Sequence, residues 1–89
     1  MGSNNKKILI IATNPELVDR IRRPLSDEGY STAVADDGLD GLARARRDTP
    51  QLVIVNSVLP KLDGNEVCRQ LRRELPPSRL RILMVIEES

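Results

Sequence analysis

Three continuous apolar runs, Ile8-Leu9-Ile10-Ile11, Leu52-Val53-Ile54-Val55 and Ile82-Leu83-Met84-Val85-Ile86, are separated by stretches with helical periodicity. A strand that is apolar at every position has both faces out of water, as in a central strand of a parallel sheet covered by helices. A further run, Tyr30-Ser31-Thr32-Ala33-Val34-Ala35, is more polar and alternates, the pattern of an edge strand. Strand and helix alternating with short joints imply right-handed crossovers and an α/β fold with an open parallel sheet. Strands are expected near Lys7–Ala12, Tyr30–Ala35, Leu52–Asn56 and Arg81–Ile86. With the alternating strand at an edge, the natural spatial order is 2-1-3-4.

The intervening segments carry start and stop signals. Asn14 is a helix cap followed by Pro15 at the first helical position, where a missing N–H is harmless. Leu17, Val18, Ile21 and Leu25 then share a face, and Gly29 ends the helix. Pro24 interrupts this pattern by removing the bond to the Arg20 carbonyl, so a kinked or frayed last turn is expected, at up to ~3 kcal/mol. Asp37 can cap a second helix running to about Arg47, with Leu39, Leu42 and Ala43 inward and Ala45 in support. Asp63 or Asn65 can start a third, with Val67, Cys68, Leu71 and Leu75 inward, and Pro76-Pro77 ends it. The layers then form a three-layer sandwich, the first helix on one face and the other two opposite.

At 89 residues the chain is one domain at most, expected over 6–89 behind a flexible N-terminus, 1–5. Tyr30 is the only aromatic, so the core is built from Leu, Ile, Val and Ala. Fourteen basic and thirteen acidic side chains, a net charge of +1, do not call for nucleic acid or an anionic membrane. Arg44, Arg46, Arg47, Arg69, Arg72 and Arg73 lie among Asp40, Asp48, Glu66 and Glu74, which reads as a solvated, ion-paired face. Without interleaved aromatics a single-strand platform is not indicated. Cys68 has no partner for an internal disulfide, and on an inward helical face it reads as a small core residue. No run approaches a membrane span and no signal peptide is recognisable, so a cytoplasmic location is expected.

In this strand order, ligand chemistry gathers at the crevice where the chain reverses, between the C-terminal ends of the first and third strands. Ala12, Thr13, Asn14, Asn56 and Ser57 border it, none of them charged. Magnesium is usually held by one or two carboxylates, so no metal and no cofactor are expected here. Asp37 and Asp63 read as caps, and Asp36 lies across the sheet from Asn56. Gly38 and Gly41 follow the second strand and make no dinucleotide fingerprint. Asn56 is expected to satisfy itself by bonding the loop after the first strand.

Several segments together resemble the response-regulator receiver domains of two-component signalling. They are Lys7-Ile8-Leu9-Ile10-Ile11, Asn14-Pro15-Glu16-Leu17, Asp27-Glu28-Gly29-Tyr30 and Ala35-Asp36-Asp37-Gly38-Leu39-Asp40-Gly41-Leu42. The resemblance continues through Pro50-Gln51-Leu52 and Leu59-Pro60-Lys61-Leu62-Asp63-Gly64-Asn65-Glu66-Val67-Cys68. It implies a flavodoxin-like fold, with 6–86 corresponding to the first two-thirds of the family domain. The chain is therefore expected to lack the family's last strand and last two helices. The family's phosphoacceptor aspartate falls on Asn56, its two metal-binding acids on Ala12 and Thr13, and its switch hydroxyl near Ile86, with Glu87 beside it. Its phosphate-pairing lysine lies beyond Ser89. An amide has neither an oxygen nucleophile nor a charge for a metal.

These departures point to a degenerate pseudo-receiver, not an enzyme, that binds proteins in bacterial signal transduction independently of phosphorylation. The alternatives are a remnant that still accepts a phosphoryl group with Mg2+, and a nucleic-acid-binding domain. A free edge at the fourth strand and an uncovered face beside the first helix would recruit a protein partner or a second copy.

Overall fold

The computed structural model describes residues 6–87. The expected flexible N-terminus, 1–5, lies outside the described residues, as do 88–89. Four parallel strands, β1 (Lys7–Ile11), β2 (Ser31–Ala35), β3 (Leu52–Asn56) and β4 (Arg81–Val85), stand in the order β2-β1-β3-β4. Three helices, α1 (Pro15–Asp27), α2 (Gly38–Asp48) and α3 (Gly64–Glu74), make the crossovers. The register pairs Leu9 with Ala33 and Val53, and Val53 with Ile82, so the four strands are in step.

Alternation along the central strands divides the core. Leu9, Ile11, Val53 and Val55 face α2 and α3, where Leu42, Ala45, Val67 and Leu71 close the larger cluster. Ile8, Ile10, Ala12 and Ile54 face the other way, against Leu17, Val18, Ile21 and Leu25 of α1. The two faces are unequally sealed: α1 has no buried residue, and on β4 Leu83 is 55% exposed.

Each helix begins on an expected residue. Asn14 Oδ1 accepts from the backbone N–H of Glu16 at 2.9 Å. Asp37 does the same for Asp40 at 2.7 Å and Asp63 for Glu66 at 3.1 Å, which settles Asp63 over Asn65 as the cap of α3. α1 ends as anticipated at Gly29, whose φ of +90° suits glycine, with Tyr30 N–H returning to the Leu25 carbonyl at 3.0 Å.

One expectation about the helices needs correction, the inward face of α2. In α1, Pro24 lies inside the helix, which runs on to Asp27 ahead of Gly29; the Glu28 N–H reaches the carbonyls of Pro24 and Leu25, both at 3.2 Å. Pro24 and Arg20 are exposed, so the carbonyl that loses its donor can turn to water. In α2, Leu39 is 54% exposed and Ala43 is also outward, whereas Gly38, Gly41, Leu42 and Ala45 face in. The glycines permit close approach: a Cβ on Gly38 would lie 1.7 Å from the Leu62 carbonyl oxygen. In α3, Val67 and Leu71 are buried, while Cys68 and Leu75 are half-buried against the same cluster. Burial pushes the Cys68 thiol pKa up, against the lowering effect of Arg72.

The arginine-rich surface is ion-paired at four of the six arginines read that way, and among the described residues Arg72 and Arg73 form no ion pair. Arg44 meets Asp40 at 3.1 Å and Arg47 meets Asp48 at 3.0 Å, and Arg69 meets Glu66. Arg46 spans from α2 to Glu74 and Gln70 of α3, tying the two helices together. Arg72 instead donates to the Leu80 carbonyl at 2.8 Å. No helix of the described residues is long and apolar enough to cross a membrane.

Candidate functional site

Asn56 is the last residue of β3 and only 2% exposed, among the described residues the one buried polar residue beside the apolar core. Its parity follows Ile54, which aims it toward the α1 face at the carboxyl end of the sheet. Continuing the register of Ile11 with Val55 by one step sets Ala12, also 2% exposed, beside it. Thr13 is exposed. Below Asn56, Gly64 opens α3 so tightly that an added Cβ would lie 2.2 Å from the Asn56 carbonyl oxygen. This fixes the backbone on which the amide is carried.

The polar contact comes from the segment just after β4, not from the loop after β1. Asn56 Nδ2 donates to Glu87 Oε1 at 2.6 Å. The Glu87 N–H donates to Ser57 Oγ at 3.1 Å, and the Ser57 N–H to the Val85 carbonyl at 2.8 Å. Because the carboxylate can only accept, the amide must turn its NH2 toward Glu87. Asn56 Oδ1 is then buried without a hydrogen-bond partner among the described residues, an arrangement that costs about 1–3 kcal/mol. Reading the crevice as uncharged therefore missed Glu87, although the pairing of Asn56 with Val85 carries that carboxylate into reach.

Of the positions singled out in sequence, Asn56 and Ala12 are both buried, at the carboxyl ends of neighbouring strands, and Thr13 is exposed. Ile86 is 74% exposed; with Asn14, Leu17 and Glu87 it borders a cavity of about 380 Å3 between the start of α1 and the end of β4. These residues do not fit a magnesium ion. Ala12 supplies no side-chain oxygen, Thr13 is a neutral hydroxyl, and Glu87 is engaged by the Asn56 amide. Among the described residues no group of three or more His, Cys, Asp or Glu is placed to hold a metal. Asp37 and Asp63 are occupied as caps, and Asp37 also lies 3.6 Å from Lys61 Nζ.

The family model for the response regulator receiver domain matches residues 8–89. The chain belongs to the response-regulator receiver family. The receiver is 40% identical over 70 residues to the alkaline phosphatase synthesis transcriptional regulatory protein PhoP of Bacillus subtilis, covering 79% of this chain and 29% of that protein. It is 41% identical over 66 residues to the response regulator MprA of Mycobacterium leprae, covering 74% and 29%. It thus spans about three-tenths of the length of these curated relatives. In fold it is similar to a receiver domain protein of Methanospirillum hungatei, with a TM-score of 0.86 at 24% identity over 97% of this chain and 67% of the other. The receiver is a signalling module of two-component regulators, with the 2-1-3-4 sheet anticipated for it.

Proposed function

We propose that this receiver acts without phosphorylation, as a protein-binding module in bacterial cytoplasmic signalling. The observation that carries the reading is the Asn56–Glu87 contact of 2.6 Å. An amide stands at the phosphoacceptor place, and a carboxylate already held by the protein lies against it. A phosphoryl group brought there would meet a negative charge instead of a cation, and no nucleophilic oxygen. The acid-pocket places, Ala12 and Thr13, offer nothing to offset that repulsion. On this reading the end of β4, which moves no switch hydroxyl, is held in one state by the ties from Asn56 and Ser57.

Its partners are proteins, a second copy of the chain included, that dock along the outer edge of β4 and beside α1. Among the described residues β4 pairs only with β3, and Leu83 and Ile86 are more than half exposed there. Incubating the protein with acetyl phosphate and Mg2+ and weighing it intact tests the reading. The expected result is an unchanged mass; a gain of about 80 Da, the mass of an added phosphoryl group, would establish a receiver that still accepts phosphate.

A further inference from the structure

We draw no further inference here: the strongest candidate, the outer edge of β2 with the cavity of about 200 Å3 between that strand and the last turns of α2, carries nothing, since Arg44 and Asp48 on its rim are already matched to Asp40 and Arg47 of the same helix and nothing in the structure shows what covers the edge.

Discussion

At position 56 the identity of one side chain decides what the neighbouring carboxylate does. The Asn56 amide gives Glu87 a donor at 2.6 Å; a carboxylate in its place would give it a second negative charge. In Asn56→Asp, burial and Glu87 both raise the pKa of the introduced carboxyl above its unfolded value. A carboxyl shifted upward is tolerated while protonated and destabilises the fold as pH rises past its unfolded pKa. The variant is therefore expected to approach the parent near pH 4 and to fall about 1–3 kcal/mol below it at pH 7. Urea unfolding at the two pH values measures this, and an equal deficit at both would show that charge is not what matters at the site. Asn56 was legible as the odd residue at the end of an apolar strand. Glu87 was not, because its contact joins residues 31 positions apart and depends on the β3–β4 register. Extending a strand pairing past its ends, as Asn56 with Val85 invites, is the signal that would have found it.

Helices in this molecule are set by their first residues more than by their apolar stripes. Asn14, Asp37 and Asp63 were all readable as caps, since a short oxygen-bearing side chain ahead of a helix has few better uses. The inward face of α2 was not readable from hydrophobicity, because Gly38 and Gly41 face in for want of a side chain while Leu39 is turned out. The Asp37 cap also makes a titration prediction. The Asp40 N–H, assisted by Lys61, holds the Asp37 carboxyl below the usual carboxylate range. A carboxyl lowered on folding contributes stability that is present above its unfolded pKa, about 4, and is lost as pH falls through the folded value. Asp37→Asn keeps a capping oxygen but not the charge. The parent's advantage over the variant is thus expected at pH 5 and should disappear by about pH 2, as read from thermal midpoints. An advantage unchanged over that interval would remove the charge from the argument.

For the molecule as a whole, the parallel order and the placement of α1 opposite α2 and α3 followed from the continuous β-branched runs, which only a two-sided burial accommodates. How completely each side is sealed did not follow, because periodicity tells which way a residue faces and not how much lies above it. The α2–α3 side has buried anchors on both helices and the Arg46–Glu74 tie between them; α1 has four half-buried contacts and none fully buried. Local opening begins where the fewest buried contacts must be broken. Amide hydrogen exchange is accordingly expected to reach the α1 backbone through a partial detachment, ahead of β1 and β3, and to reach α3 later. Exchange of all three helices at one common rate would instead mean that the fold opens only as a unit. With α1 briefly lifted, Ile10 and Ile54 become the first deep residues to meet solvent. Slow wear of this protein, by proteolysis or by sticking to other chains, is thus set to start from that side while the arginine-laced side is still folded.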